Sequence, residues 1–389
     1  MENFIFHAPT EIYFGKGQIE QLSNVLSRYG KKVLLAYGSG SIKNIGLYDT
    51  VVSQLKKNGF VIAELSGIEP NPRIETVRRG VELCKARQID VILAVGGGST
   101  IDCSKVVAAG TFYEGDTWDL VMDARKITNA LPLVTVLTLA ATGSEMNKGA
   151  VISNMSLNIK KGTHHASMMP RASFLDPQYT YSVSKYQTAS GIADIMSHTF
   201  ENYFKVTRHA ALQDHMSEAV LRTCITYGRQ AIDEPQNYEA RANLMWASTW
   251  ALNGLLGSGK EGAWSNHPIE HELSAFYDIT HGVGLAITTP RWMRYILNED
   301  TVDKFAEYGV RVWDLDARKE RFALAEEAIQ KTEEFFYQTL EIPSTLRAVG
   351  ITDQSKFDVM AEKAVAGGLS VAYVPLTKED VKKILEASF

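Results

Sequence analysis

Near-continuous apolar runs at 31–37, 60–65, 90–95 and 131–138 leave the first half of this chain few possible folds. A strand with one solvated face alternates apolar and polar residues. Strands that are apolar throughout need cover on both faces, which parallel strands receive when helices connect them. Helical spacing does separate these runs, at 47–58, at 74–87 and from about residue 101. The turn Pro70-Asn71-Pro72 and the triplet Gly96-Gly97-Gly98 punctuate the pattern. The prediction is a parallel α/β sheet with helices on both faces.

Beyond residue 182 the character changes. Segments 186–204, 210–231, 239–256, 283–298 and 318–340 all carry helical spacing, and no strand stands out among them. Residues 343–389 suggest short helices with a break at Gly367-Gly368. A chain of 389 residues exceeds one ordinary core. Two domains are expected, an α/β unit over 1–182 and an all-helical unit over 183–389, joined after the Asp176-Pro177 turn.

Composition excludes some partners. Apolar residues at 45% and charged residues at 22% belong to a soluble globular chain. A net charge of −5 gives no electrostatic ground for nucleic acid or an anionic membrane. No apolar run approaches the ~20 residues that a membrane helix needs, and the start, Met1-Glu-Asn-Phe-Ile-Phe, has no basic segment or apolar core of a signal peptide. Cys84, Cys103 and Cys224 lack metal or redox spacing and are expected as inert thiols in a reducing cytoplasm.

Two glycine loops follow strands and open helices. One is Gly38-Ser39-Gly40-Ser41; the other is Gly96-Gly97-Gly98-Ser99-Thr100, with Asp102 and Lys105 in the next turn. Backbone N–H groups at a helix start attract phosphate, and glycine permits its close approach. Neither loop matches the GxGxxG fingerprint, so a tight β–α turn explains the spacing equally well. Gly38, Ser39, Ser41 and Lys43 put no carboxylate where one would repel a 2′-phosphate, which favours NADP(H) over NAD(H) if a dinucleotide binds there.

Three of the chain's nine histidines, His267, His271 and His281, fall within one short stretch, and Asp194 and His198 stand four apart upstream. On a helix that spacing puts two side chains on one face. Imidazoles with one carboxylate make a site for a divalent ion. The competing explanation is a solvated helix stripe formed by Gln187, Ser190, Asp194, His198, Glu201 and Lys205. Trp264, Ile269, Leu273, Phe276 and Tyr277 surround the downstream histidines, whose imidazoles would need partners in that apolar setting.

Four co-linear motifs resemble the iron-containing (group III) alcohol dehydrogenases, and most closely their butanol dehydrogenase and NADP-dependent aldehyde reductase branch. They are Gly96-Gly-Gly-Ser-Thr-Ile-Asp102-Cys-Ser-Lys105, Ala141-Thr-Gly-Ser-Glu145-Met-Asn147, Gly191-Ile-Ala-Asp194-Ile-Met-Ser-His198, and His267-Pro-Ile-Glu-His271 continuing to Thr280-His281-Gly-Val. The resemblance runs from the Glu11–Gly17 opening to about residue 380. It implies a Rossmann-like dinucleotide-binding domain, an all-helical metal domain and a homodimer. By that resemblance Asp194, His198, His267 and His281 hold one Fe²⁺ or Zn²⁺, and His271 relays a proton beside the nicotinamide. Gly97, Gly98 and Ser99 would hold the pyrophosphate, with Asp102 in the same loop. Thr138, Thr142, Asn147 and Lys160 would line the cofactor cleft, and Asn71 would approach the ribose. The implied activity interconverts short-chain primary alcohols and aldehydes of the butanol type. A dehydroquinate-synthase-like or glycerol-dehydrogenase-like enzyme would share this fold, and a non-catalytic relative would have lost a ligand; none is missing here.

Overall fold

The computed structural model describes residues 1–389. The chain divides into two compact units, His7–Val183 and Ser184–Phe389, the latter joined by Met1–Phe6.

Eight strands lie in the first unit: β1 (Glu11–Phe14), β2 (Lys32–Tyr37), β3 (Val61–Leu65), β4 (Val91–Gly96), β5 (Leu133–Leu137), β6 (Gly149–Asn154), β7 (Ile159–His164) and β8 (Ala172–Leu175). Six form one sheet in the order β1-β8-β5-β4-β2-β3, and every pairing in it is parallel. The central strands β4 and β5 are buried along their whole length, as their unbroken apolar sequences require. The other two strands pair as an antiparallel ribbon, Gly149 opposite His164.

The sheet is larger than the apolar runs suggest. The short strands β1 and β8, and the β6–β7 ribbon, carry no continuous apolar run. In β8 the interruption is Ser173, whose hydroxyl accepts from Thr135 Oγ1 at 2.8 Å and donates to the Glu145 carbonyl at 2.6 Å. A polar residue satisfied in this way reads in sequence like a loop residue.

Strand order locates a binding crevice. From β2 the chain moves outward to β3, and from β4 it moves the opposite way to β5 and then β8. The reversal falls between β2 and β4, which pair in register from Val33↔Val91 to Tyr37↔Val95. Ligands of open α/β sheets bind beyond the carboxyl ends of the strands at such a reversal. The loops there are Gly38–Ser41 and Gly96–Ser99.

The second loop differs from expectation in one respect. Helix Gly98–Gly110 starts at the last glycine of the triplet, not near Ile101. The Gly97 carbonyl accepts from Thr100 N at 3.1 Å and Ile101 N at 3.2 Å, so the glycines open the helix and do not merely precede it. Gly98 is required there, because a Cβ would come 2.3 Å from Thr142 Oγ1.

A polar brace holds this helix against the 144–151 segment. Asp102 accepts from Ser144 Oγ at 2.5 Å and from Val151 N at 2.8 Å. Lys105, fully buried, donates to Ser144 Oγ, Asn147 Oδ1 and the Gly149 carbonyl at 2.7–2.8 Å. Burial pushes the Lys105 ammonium down to about 8, with Asp102 and Glu145 acting in the opposite sense. Asn147 also accepts from Gly149 N and donates to the Gly143 carbonyl, both at 2.9 Å. Asp102 and Asn147, expected as cofactor contacts, thus direct these bonds to the protein's own loop.

The second unit is built of helices. Lys185–Tyr203 runs through it with every residue from Thr188 to Tyr203 buried. Around it stand Ala211–Asp233, Tyr238–Ala251, Asn266–Tyr277, His281–Ile296, Val302–Trp313, Arg321–Glu334, Phe357–Ala366 and Lys378–Ala387. The helix expected over 239–256 stops at Ala251, ahead of Gly254 at φ +95°. The one expected over 318–340 ends in a π-helical turn, Phe335–Thr339. Helices Asn266–Tyr277 and Val302–Trp313 were not anticipated; the first carries Pro268 in its opening turn, where proline is tolerated. No helix is long and apolar enough to cross a membrane.

Replacing Asp102 with Ala leaves Ser144 Oγ and Val151 N without their acceptor. The expected loss is about 2–4 kcal/mol of stability, and Asp102→Asn should lose about half as much because its amide oxygen still accepts. Guanidinium unfolding followed by circular dichroism measures both, and an unchanged midpoint in Asp102→Ala would show that the carboxylate braces nothing.

Candidate metal centre and cofactor loops

The polar residues of the buried Lys185–Tyr203 helix decide between the two explanations of its pattern. Ser190, Asp194, His198, Glu201 and the following Lys205 are all buried, so the solvated stripe does not exist. Sequestered polar atoms demand partners. Yet Asp194 Oδ1, His198 Nδ1 and His267 Nε2 are buried with no hydrogen-bond partner.

These atoms belong to one cluster. Asp194, His267 and His281 each bring a ligand atom to within 4.8 Å of the other two. His198 adjoins this trio, its Nδ1 3.5 Å from Asp194 Oδ1 and its ring stacked 4.7 Å from that of His267. His281 Nε2 lies 3.7 Å from Asp194 Oδ1. Burial pushes His198 down to about 3, against the opposing pull of Asp194, so its imidazole is neutral and offers a lone pair. One carboxylate and several imidazoles at this spacing are a donor set for a divalent cation, and the orphaned atoms fit that group.

Local sequence brings the three segments together. Asp194 and His198 are one turn apart on the central helix. His267 lies in the first turn of Asn266–Tyr277, and His281 opens the next helix after Asp278 turns the chain at φ +51°. Gly282 lets that helix start press on the central one, since a Cβ there would come 2.0 Å from the Ser190 carbonyl oxygen.

His271 sits one turn beyond His267 and is half-buried. Its ring centre is 5.6 Å from that of His281 and 6.2 Å from that of His267. Trp264 covers the other flank, 4.7 Å from His267 and 5.7 Å from His198 between ring centres.

Two carboxylates absent from the sequence-based set stand behind the imidazoles. Glu201 Oε1 lies 3.1 Å from His267 Nδ1, and Glu270 Oε2 bonds His281 Nδ1. Burial alone would raise the Glu201 carboxyl, but hydrogen bonds from the His267 ring and from the backbone N–H groups of His267 and Ser265 outweigh it and hold the pKa below the usual range. The sequence signal was available: a glutamate one turn after His198 in a helix apolar on its other faces, and a second between His267 and His271. The requirement that a buried imidazole have a partner at each nitrogen would have exposed both.

In the first unit Gly97, Gly98, Ser99, Thr138 and Thr142, among the expected cofactor residues, lie at the loop after β4. No side chain caps the helix at Gly97, and its first turn contains no acidic residue, which suits an anionic pyrophosphate at Gly97, Gly98 and Ser99. Thr142 packs on Gly98, and Thr138 N donates to the Gly96 carbonyl at 3.1 Å. Asn71 takes a left-handed φ of 51°, and Lys160 is buried on β7 opposite Ser153. At the other loop Gly38, Ser39 and Ser41 are at least partly exposed. Lys43 stacks its ammonium over Tyr37 at 5.2 Å and Tyr48 at 4.7 Å.

Known proteins share this organisation. A family model described as iron-containing alcohol dehydrogenase matches residues 9–177, and one described as the Fe-containing alcohol dehydrogenase family C-terminal domain matches residues 188–389. The chain is 54% identical to NADH-dependent butanol dehydrogenase A of Clostridium acetobutylicum, with 100% of each chain covered. It is 39% identical to the NADPH-dependent aldehyde reductase YqhD of Escherichia coli over 95% of each. The crystal structure of NADH-dependent butanol dehydrogenase A from Thermotoga maritima superposes with a TM-score of 0.94 at 38% identity, covering 100% of this chain and 99% of that one. With both halves matched and identity above half over its full length, the chain belongs to the iron-containing alcohol dehydrogenase family.

Proposed function

We propose that this protein is a metal-dependent NAD(P)H oxidoreductase interconverting short-chain primary alcohols and aldehydes of the butanol and butyraldehyde type. The observation that carries the proposal is the set of buried, partnerless donor atoms on Asp194, His198 and His267, converging with His281. In this reading Asp194, His198, His267 and His281 hold one Fe²⁺ or Zn²⁺. When bound, such an ion supplies a Lewis acid for the alcohol or aldehyde oxygen. The relatives named butanol dehydrogenase and aldehyde reductase support the substrate class.

Each part of the chain has a separate task. Gly97, Gly98 and Ser99 bind the dinucleotide pyrophosphate through the N-terminus of helix Gly98–Gly110, and Asn71, Thr138, Thr142 and Lys160 line its cleft. Asp102 and Asn147 act at one remove, by fixing the loop. Trp264 excludes water from the His198–His267 side of the centre. The hydroxyl proton of the alcohol must leave separately from the hydride. An imidazole nitrogen of His271, next to the centre and still in reach of solvent, carries it. A homodimer belongs to the same proposal, and the particle mass in solution checks it.

For the dinucleotide, the proposal is that NADP(H) is favoured. The support is the neutral and cationic lining Gly38, Ser39, Ser41 and Lys43. Relatives divide on this point: those at 54% identity are named NADH-dependent, and the one at 39% NADPH-dependent.

His267→Ala and Asp194→Ala should abolish turnover and empty the metal site while the 7–183 unit stays folded. Metal analysis beside a butyraldehyde assay tests this, and normal activity at full occupancy would refute the assignment.

His271→Ala should keep its metal and slow turnover by roughly 10²- to 10⁴-fold, the usual effect of losing an acid–base group. Loss of metal comparable to His267→Ala would make His271 a ligand instead.

Residue 38 has room for a Cβ, which would meet only the Ile68 carbonyl oxygen at 3.4 Å. Gly38→Asp should lower kcat/KM for NADPH at least about tenfold, or ~1.4 kcal/mol, and affect NADH much less. A wild type that prefers NADH, or equal losses with both cofactors, would overturn the preference.

A further inference from the structure

A neutral imidazole has one N–H and one lone pair, and its partners determine which nitrogen carries which. His267 Nδ1 faces Glu201 Oε1 at 3.1 Å, while its Nε2 is buried without a partner. His281 Nδ1 bonds Glu270 Oε2, while its Nε2 points 3.7 Å from Asp194 Oδ1. An ionised carboxylate only accepts hydrogen bonds. With those carboxylates accepting, both rings carry hydrogen on Nδ1, which leaves the Nε2 lone pair of His281 3.7 Å from Asp194 Oδ1 and that of His267 buried without a protein partner.

Neither carboxylate is free to swing. Glu201 Oε1 also accepts from His267 N at 2.8 Å, and Oε2 accepts from Ser265 N at 2.9 Å. Those N–H groups start helix Asn266–Tyr277, whose N-cap residue, Ser265, makes no side-chain cap. Glu201, from the Lys185–Tyr203 helix, thus caps a different helix and orients its histidine together. Glu270 is held on one side by Ser274 Oγ. On another side it rests against Gly284, where a Cβ would come 2.9 Å from Glu270 Cγ. His281 belongs to a helix other than that of Glu270, so each carboxylate links two segments.

We propose that Glu201 and Glu270 are positioning residues that fix His267 and His281 as Nδ1–H tautomers, so that both present Nε2 to the divalent ion. The proposal rests on the metal-centre assignment above. Carboxylates placed behind metal-bound histidines orient the ring and strengthen its donor nitrogen. A glutamine in either position can turn its amide N–H toward Nδ1 and stabilise the opposite tautomer.

The test uses full-length protein stripped by chelator and titrated with Co²⁺ as the probe, comparing wild type, Glu201→Gln, Glu270→Gln and Asp194→Ala. Both Gln variants should bind Co²⁺ about 10- to 100-fold more weakly and shift its visible absorption bands, a change that a purely structural role would not produce. Wild-type affinity and spectrum in both Gln variants, with binding lost in Asp194→Ala, would overturn the positioning role and leave the metal centre standing. Wild-type affinity in Asp194→Ala would remove the metal centre itself and this role with it. Should Glu201→Gln fail to fold, ¹⁵N-histidine NMR of the wild type replaces it. Both rings should report hydrogen on Nδ1, with signals assigned through His267→Ala and His281→Ala, and hydrogen on Nε2 of either ring would overturn the proposal.

Discussion

Exclusion of water from the Lys185–Tyr203 helix is the constraint on which the helical unit depends. Residues Thr188 to Tyr203 are all buried, yet Ser190, Asp194, His198, Glu201 and Asn202 are polar. Such a helix is tolerable only if each polar atom finds a partner. Asn202 bonds the His198 carbonyl at 2.9 Å, and Glu201 bonds the start of helix Asn266–Tyr277. The atoms left over are those that converge on Asp194. Packing and the candidate site therefore share one cause, because the same burial that builds the core leaves these ligand atoms without protein partners.

The α/β unit solves a different problem, that of holding an uncapped helix start rigid at the end of β4. Its sheet reverses direction between β2 and β4, and the loop after β4 must present backbone where other proteins present side chains. Gly98 supplies the room, and the brace of Asp102, Lys105, Ser144 and Asn147 supplies the rigidity. Buried charge is normally costly. Here three oxygen acceptors and the nearby carboxylates of Asp102 and Glu145 offset part of that cost, while burial still pushes the Lys105 ammonium down to about 8.

Sequence periodicity reveals what is repetitive and misses what is reciprocal. The helix at Ile74–Arg87 is found with its ends, because its apolar positions recur and its flanks are a proline turn and a new strand. The strand β4 is found because six consecutive residues are buried. β8 escapes, since Ser173 is inside the sheet only by virtue of Thr135 and the Glu145 carbonyl, residues far away in sequence. The same holds at the candidate metal centre. Asp194, His198, His267 and His281 stand out by residue type and spacing. Glu201 looked like a surface residue, and only the position of His267 across the helix packing gives it a buried role.

One consequence of the Glu201 contact concerns portability. The segment from Trp264 to Gly282 holds several of the histidines and looks like a self-contained motif. Its first helix nevertheless begins on a side chain supplied from 64 residues upstream. Cut out as a peptide, or grafted onto another scaffold, the segment would lose the acceptor for its opening N–H groups and the wall that aims His267. Copying the histidines alone would transfer the letters of the motif without its geometry. A graft that keeps this geometry has to bring with it the helix that carries Glu201.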